Sequence, residues 1–234
     1  MSKFVIFASA RTGSTSLADL LSTSRDVKLC FEPFNADFPK WKLGNKNYAK
    51  LVKDKNSLNK SLDELFTIYN ALKVLDYQLP EKIYFELLAR QDIKIIFLRR
   101  KNLFDLAVSD LVAHQVREWR KNKSLSIYKN LKALDEKEFS GKIKYIKHLN
   151  TVFNGFLERN RKGDYLQLWN EDLYTEDFKN NKKTLQKICK FLEISLPPDH
   201  AIKKHMTPSK AKINYKNIYS KIPNYEELKE KFES

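Results

Sequence analysis

The N-terminal segment constrains the fold most, because a short apolar run leads directly into a glycine turn and a helical segment. The run Phe4 to Phe7, FVIF, has the β-branched and aromatic composition of a buried strand. Residues 16–21, SLADLL, place leucines at helical spacing among good helix formers. Residues 8–15, ASARTGST, therefore predict a tight strand-to-helix turn, whose N–H groups and helix dipole suit a phosphate. A plain connection with a Ser or Thr cap is the alternative.

Further apolar runs extend this unit into a larger sheet. Four runs predict buried parallel strands at 3–9, 72–76, 93–98 and 165–169, with a weaker fifth at 27–31. Helical patterns separate or follow them at 14–22, 61–71, 81–91, 103–120, 143–161, 179–193 and 224–232. This alternation predicts one α/β domain over residues 1–234, with a central, mostly parallel sheet flanked by helices. Ligands of such sheets bind beyond the carboxyl ends of the strands.

Two polar stretches, 33–60 and 120–142, interrupt this alternation. We expect them to be long surface excursions, because loops of that length in a compact domain are usually lids or binding loops.

The charge favours anionic partners without choosing one. The chain holds 44 Lys and Arg against 29 Asp and Glu, a formal net charge of +15. A positive field of this kind raises the local concentration of phosphorylated or polyanionic ligands. A general enrichment in lysine, which favours solubility, is equally compatible with this surplus.

The cysteines and the hydropathy indicate the compartment. Cys30 and Cys189 lie far apart in apolar surroundings, which predicts buried free thiols in a reducing compartment and no metal site. No apolar run approaches the ~18 residues of a membrane span. The FVIF run is also shorter than the roughly 7–15 apolar residues of a secretory signal. We therefore expect a cytoplasmic protein.

A second chemistry-bearing stretch is FLRRKNLFDLAVS, residues 97–109. Arg99 and Arg100 close a predicted strand, and Ser109 lies one to two turns into the helix that follows. An arginine fork and a serine hydroxyl at this spacing suit a single phosphate. An exposed basic strand end followed by an ordinary amphipathic helix is the alternative.

Together these stretches resemble the PAPS-dependent sulfotransferases, and most of all the bacterial carbohydrate sulfotransferases of the trehalose and Nod-factor type. RTGSTS, residues 11–16, resembles the 5′-phosphosulfate loop of that family, and FLRRKNLFDLAVS resembles its 3′-phosphate motif. Three further segments resemble the family in the same order: ALKVLDYQLP at 71–80, YLQLWNEDLYTEDF through LQKICKFLEI at 165–194, and IPNYEEL at 222–228. The resemblance covers nearly the whole chain and implies a P-loop-like nucleotide-binding fold.

The resemblance implies a donor, a leaving group and the residues that hold them. The donor is 3′-phosphoadenosine 5′-phosphosulfate (PAPS), the product is 3′,5′-phosphoadenosine (PAP), and no metal is required. Arg11 is expected to stabilise the leaving 5′-phosphate, within a binding loop made of Arg11, Thr12, Gly13, Ser14, Thr15 and Ser16. Ser109 and one of the two adjacent arginines are expected to hold the 3′-phosphate, with Arg100 the first choice and Arg99 the second.

The acceptor side is less defined. By resemblance, Glu32 in LCFEPFN is the general base for a hydroxyl of a carbohydrate or glycolipid, and His114 and His148 are alternatives. A structural ion pair is the other interpretation of Glu32. Lys210 in TPSKAKI matches a basic C-terminal loop near the nucleotide. The two polar excursions are expected to form the acceptor pocket, so the sequence leaves the acceptor and the oligomeric state open.

Two other classes of function are weaker interpretations. A basic nucleic-acid-binding protein would explain the net charge, but it explains neither the ordered motifs nor the arginines at a strand end. A nucleotide-dependent kinase would need the pattern G-x-x-x-x-G-K-[ST], whereas Gly13 is followed directly by Ser14 and no lysine stands in the loop.

Overall fold

The computed structural model describes residues 2–36, 46–117, 125–208 and 216–233, and a single sheet of five parallel strands organises them. The strands are β1 (Lys3–Ala8), β2 (Leu29–Phe31), β3 (Ala71–Leu75), β4 (Ile93–Arg99) and β5 (Tyr165–Trp169). Their order across the sheet is β2-β3-β1-β4-β5, so β1 is the central strand. The predicted α/β class with a parallel central sheet is confirmed.

Helices cover both faces of the sheet. In chain order they are α1 (Ser14–Leu21), α2 (Tyr48–Leu51), α3 (Lys55–Ile68), α4 (Glu81–Leu88), α5 (Leu103–Val116), α6 (Glu136–Asn160), α7 (Asn170–Leu173), α8 (Phe178–Leu192), α9 (Asp199–Met206), α10 (Lys216–Tyr219) and α11 (Tyr225–Phe232). A short 3₁₀ helix spans Leu125–Tyr128.

The alternation of side chains along β1 divides the core between the two faces. Val5 and Phe7 pack with α3, α4 and α6, whereas Phe4 and Ile6 pack with α1, α8 and α9. All four side chains are fully buried. A strand covered on both faces is predominantly apolar, which explains the FVIF run.

Two helices begin earlier than predicted, because the first three residues of each are polar and are capped by an aspartate. Asp54 and Ser57 form a capping box, so α3 begins at Lys55 rather than at residue 61, and it ends before β3 takes up residues 71–75. Asp135 accepts a hydrogen bond from the Glu138 N–H, so α6 begins at Glu136 rather than at 143.

Helix α5 ends earlier than predicted. Its last residue is Val116 rather than residue 120, and the next residue, Arg117, has a left-handed backbone with φ of 51°. The prediction of two long loops was therefore wrong in part: 33–60 contains α2 and the start of α3, and 120–142 contains the start of α6. Residues 37–45 and 118–124 lie outside the described part of the chain.

The register of the sheet sets where a ligand can bind. Ala8 of β1 pairs with Leu75 of β3 and with Leu98 of β4. The residues that follow these three strands therefore emerge at one edge, where the carboxyl ends of parallel strands form a crevice.

Two further expectations concern the cysteines and the length of the helices. Cys30 and Cys189 are both free and buried, as predicted, and burial raises the pKa of their thiols to about 12 and about 11. Within the described ranges, every helix is too short or too polar to cross a membrane.

Candidate functional site

Gly13 shapes the turn between β1 and α1. Its φ is +87°, in the left-handed region, and it is the N-cap of α1. A Cβ atom at this position would lie 2.6 Å from Cε2 of Tyr174 and 2.8 Å from Nδ2 of Asn170. Both the backbone conformation and the close approach therefore require glycine. Because glycine has no side chain to cap the helix, the N–H groups of the first turn are available to an anion.

Two side chains from the segment after β5 hold this turn in place. Asn170 donates from Nδ2 to the Thr12 carbonyl at 2.7 Å, and the Tyr174 hydroxyl donates to the Gly13 carbonyl at 2.5 Å. In a trans peptide the C=O and the next N–H point in opposite directions. Fixing these carbonyls therefore turns the N–H groups of Gly13 and Ser14 away from Asn170 and Tyr174. Sequence reasoning missed both side chains.

The hydroxyl side chains of the turn differ in exposure. Thr12 is fully buried and donates from Oγ1 to the Ser9 carbonyl at 2.8 Å, and Ser14 is also buried. Thr15 is exposed and Ser16 is partly exposed. The Thr12 hydroxyl therefore stabilises the turn from inside, so Thr12 can contact a ligand only through its backbone.

Arg11 connects the turn to α5. Its backbone is left-handed, with φ of 63°, and its Nε donates to Oγ of Ser109 at 2.9 Å. The Nη1 atom of Arg100 lies 3.5 Å from the Arg11 carbonyl oxygen. The structure therefore brings together Arg11, Arg100 and Ser109, three residues that the sequence singled out from two separate motifs.

Arg100 has a nitrogen with no hydrogen-bond partner. Its Nη2 donates to Asp105 at 3.0 Å, while its Nε is 3.8 Å from Oε1 of Glu171, beyond hydrogen-bond distance. This Nε is buried and has no partner among the described residues. An unsatisfied buried donor costs about 1–3 kcal/mol, so a phosphate oxygen placed here would remove that cost.

Arg99 lies on the other face of the sheet. Its Nε and Nη1 each donate to an asparagine of α6, Asn150 and Asn154, at 3.2 Å. The guanidinium also stacks over Trp169, 4.5 Å from the ring centroid, and burial lowers the pKa of Arg99. Consecutive strand residues point to opposite faces, which explains why the two adjacent arginines separate.

Glu32 is held by three donors at the end of β2. Its Oε1 is 2.5 Å from Nζ of Lys73, and its Oε2 accepts hydrogen bonds from Asn35 at 2.8 Å and from Gln78 at 3.0 Å. Lys73 is almost fully buried and also donates to Oγ1 of Thr15 at 2.9 Å. The signal for Lys73 in the sequence was a single lysine within the apolar strand β3.

A second carboxylate, which sequence reasoning missed, lies beside the turn. Asp76 follows β3, and its Oδ2 accepts a hydrogen bond from Oγ of Ser9, which follows β1. Only 8% of Asp76 is exposed, and this burial raises the pKa of its carboxyl to about 6. Nearby on α5 and α6, Asp110 forms an ion pair with Lys142 at 2.5 Å.

The remaining candidates contribute less. His114 and His148 are more than half exposed, with side chains 3.8 Å from Asp110 and 3.5 Å from Glu81. Lys210 lies outside the described residues. Across those residues, no group of three His, Cys, Asp or Glu side chains is placed to hold a metal ion.

The fold and the site define a class of protein: an α/β domain with a glycine turn between its central strand and the helix that follows, and with arginines at a neighbouring strand end. The family model described as the sulfotransferase domain matches residues 1–234. The chain therefore belongs to the sulfotransferase domain family, and the prediction that it is an enzyme of the PAPS-dependent sulfotransferase class is confirmed at the level of the family.

Solved structures are similar over the whole chain. A sulfotransferase from Alicyclobacillus acidocaldarius is 15% identical, with a TM-score of 0.51, and the match covers 100% of this chain and 96% of that one. The sulfotransferase domain from the curacin biosynthetic pathway is 12% identical, with a TM-score of 0.49 and coverage of 100% and 98%. The first of these supports the fold alone. Among curated proteins, no sequence matches the chain significantly.

Proposed function

We propose that this sulfotransferase takes a sulfuryl group from PAPS and transfers it in line to a hydroxyl acceptor. The observation that carries the proposal is the joint position of Arg11, Arg100 and Ser109 beside the glycine turn. One cluster thereby offers donors for two separate phosphate groups, and PAPS carries two, at its 5′ and 3′ positions.

The turn supplies the site for the 5′-phosphosulfate. The backbone N–H groups of residues 12–16 and the positive end of the α1 dipole favour an anion at the edge of β1. As the S–O bond to the 5′-phosphate breaks, negative charge collects on that bridging oxygen. Arg11 and the Ser14 and Thr15 hydroxyls are the donors proposed to stabilise it.

Arg100 and Ser109 are the proposed partners of the 3′-phosphate. The unpartnered Nε of Arg100 supports this role, and the stacking of Arg99 on Trp169 argues for Arg100 over Arg99. Lys210 remains a proposed contributor, on the family resemblance alone. No residue set in this proposal calls for a metal.

For the acceptor, the family resemblance favours a carbohydrate or glycolipid, and Glu32 as its general base. Both oxygens of Glu32 already accept hydrogen bonds, so an acceptor hydroxyl has to displace one of the donors. Because Lys73 also contacts Thr15, we propose a further role for Glu32, which is to hold the Lys73 ammonium group next to the turn. Acceptor contacts are proposed to come from the segments 33–60 and 120–142.

We propose a cytoplasmic location and a single domain over residues 1–234. The free, buried thiols of Cys30 and Cys189 support a reducing compartment.

The direct test of the donor is thermal stabilisation by PAP, compared with ADP and AMP. A ligand at ~100 times its Kd stabilises a fold by about 2.7 kcal/mol, which is an easily measured shift. We expect PAP to shift the melting temperature more than ADP or AMP does, and Arg11→Ala to reduce the shift. Equal shifts from the three nucleotides would contradict a 3′-phosphate site, and nucleic acid would become the next ligand to test.

A further inference from the structure

We propose that Asp76, rather than Glu32, takes the proton of the acceptor hydroxyl. This inference rests on the proposed function, because it assigns a residue to the acceptor side of the same site. Asp76 stands directly after β3, the neighbour of β1, and β1 leads into the anion-binding turn.

Two hydrogen bonds fix Asp76 to the segment that enters the turn. Its N–H donates to the Ala8 carbonyl at 3.1 Å, and its Oδ2 accepts from the Ser9 hydroxyl. Ser9 is two residues before Arg11. The carboxylate is therefore positioned by the same strand end that positions the proposed sulfuryl donor site.

The charges around Asp76 favour a group that exchanges a proton near neutral pH. The pKa of Asp76 is raised to about 6, chiefly by burial and in smaller part by the charge of Asp110 on α5. Lys142 on α6 and the Ser9 hydroxyl act in the opposite direction. Two phenols also face the carboxylate, Tyr84 on α4 and Tyr145 on α6, and burial with the charge of Asp76 raises the pKa of each.

Two histidines and one further carboxylate lie next to the groups just named. His114 is 3.8 Å from Asp110, and His148 is 3.5 Å from Glu81, which is itself a neighbour of Tyr145. A general base is most effective when its pKa is close to the working pH, so a carboxyl of this kind suits proton abstraction.

Glu32 differs from Asp76 in how its oxygens are used. A buried lysine contacts one oxygen of Glu32, and two side-chain amides contact the other. This arrangement is that of a structural ion pair. Asp76 accepts its side-chain hydrogen bond from a serine hydroxyl, which an acceptor hydroxyl replaces without leaving a buried cation unpaired.

Exposed aromatic rings lie next to Asp76 and suit an incoming acceptor. Tyr77 follows Asp76 in the chain and is 52% exposed, and Tyr145 is 43% exposed. Within the described ranges, these are the two exposed side chains among the phenylalanines, tyrosines and tryptophans. Tyr145 is also close enough for the charge of Asp76 to act on its phenol.

The proposed step balances as follows. The acceptor oxygen forms a bond to sulfur, the bond from sulfur to the 5′-phosphate oxygen of PAPS breaks, and the acceptor proton passes to an Asp76 carboxylate oxygen. PAP leaves with the additional negative charge on its 5′-phosphate, where Arg11 stands.

The test uses water as the acceptor, since PAPS hydrolysis to PAP and sulfate needs no other substrate. Hydrolysis rates are measured from pH 5 to 9 for the wild type, Asp76→Asn, Glu32→Gln and Ser9→Ala. PAP affinity is measured on the same four proteins by calorimetry. Ser9→Ala is the matched control, because it removes the side-chain hydrogen bond to Asp76 but keeps the carboxylate and its backbone bond to Ala8.

We expect Asp76→Asn to lower hydrolysis at least a hundredfold, which is within the usual contribution of a general base, and to leave PAP affinity within threefold. Its pH profile is expected to lose the rise near pH 6, whereas Glu32→Gln keeps that rise. Ser9→Ala is expected to reduce hydrolysis by less than fivefold.

Three results would overturn the assignment. Loss of the pH 6 rise in Glu32→Gln but not in Asp76→Asn would make Glu32 the base. Equal losses in Asp76→Asn and Ser9→Ala, with weakened PAP binding in both, would make Asp76 a residue that only holds the turn. A wild type that does not bind PAP would instead remove the proposed function itself, and the calorimetry distinguishes this case from the other two.

Discussion

Arg11 and Ser109 meet through a 2.9 Å hydrogen bond from Nε to Oγ, although they are 98 positions apart in the chain. The contact joins the turn after β1 to the second turn of α5, the helix that follows β4. It links the proposed 5′ and 3′ phosphate sites, because both residues are expected to bind the same donor molecule.

Removing the Ser109 hydroxyl is expected to weaken PAP binding. Ser109→Ala deletes a donor for the 3′-phosphate and the acceptor that orients Arg11. A hydrogen bond to a charged group contributes about 1.5–3 kcal/mol, so the Kd for PAP should rise roughly tenfold to a hundredfold. Calorimetry with PAP and AMP measures the effect. A smaller loss for AMP, which lacks the 3′-phosphate, would support the assignment, and equal losses for both nucleotides would contradict it.

The adjacent arginines provide a matched pair of variants. Arg100→Gln should raise the Kd for PAP by roughly ten- to a hundredfold, because it removes the charge and the buried Nε donor beside the turn. Arg99→Gln should lower the melting temperature through lost stacking on Trp169, with little effect on PAP affinity. Nucleotide titrations together with melting curves test both. The reverse pattern would assign the 3′-phosphate to Arg99.

Alanine variants at two glycines with positive φ should distinguish the cost of backbone strain from the cost of steric overlap. Gly13 and Gly163 have φ of 87° and 90°, but a Cβ at Gly163 meets nothing within 4 Å. Gly163→Ala should therefore cost only the left-handed conformation, about 1–2 kcal/mol. Gly13→Ala adds a contact of 2.6 Å with the buried Tyr174 ring, so its cost in unfolding free energy should be clearly larger.

Urea unfolding measures both costs, and PAP binding gives a second readout. Gly13→Ala is expected to lose PAP affinity because its turn moves, whereas Gly163→Ala is expected to keep it. Equal destabilisation of the two variants would show that the contacts of Gly13 with Tyr174 and Asn170 do not limit the turn.

The strands that coincide with a short apolar run were predictable from the sequence. β1, β4 and β5 are predominantly apolar, with Lys94 and Gln167 as polar interruptions in β4 and β5, and each was predicted to within a residue or two of its observed bounds. The starts of α3 and α6 were not, because the first three residues of each helix are polar and are capped by an aspartate, although a buried apolar residue, Leu58 or Phe139, follows at once. Hydrophobic periodicity reports the buried face of a helix and says little about where its exposed end begins.

The site was predictable only where its residues lie in a motif. Arg11, Gly13 and Ser109 were found because each stands in a recognisable stretch. Lys73 and Asp76 were not singled out, since their importance depends on the register that places β3 next to β1. Only the folded sheet shows that these two side chains reach Thr15 and Ser9.

The stability of the protein should depend on pH through Asp76 in a definite direction. The folded pKa of about 6 is above the ordinary value of 3.8, so the folded state binds a proton more tightly than the unfolded state does. This group favours folding below about pH 4, and the contribution is lost as the pH rises through 6. A shift of this size corresponds to about 3 kcal/mol at most.

Asp76→Asn removes this dependence, because the amide does not titrate. The difference in unfolding free energy between the variant and the wild type should therefore shift in favour of the variant as the pH rises from 4 to 8. The altered bond to Ser9 adds a cost that does not change with pH, so it does not affect this shift. Asp92 is the control with the opposite sign: hydrogen bonding to Arg90 lowers the pKa of Asp92 to about 2. Asp92→Asn should therefore have a lower unfolding free energy than the wild type above about pH 4, and this difference should shrink as the pH falls towards 2. Urea midpoints measured from pH 2 to 8 compare the three proteins, and parallel curves for Asp76→Asn and the wild type would show that Asp76 does not titrate differently in the folded state.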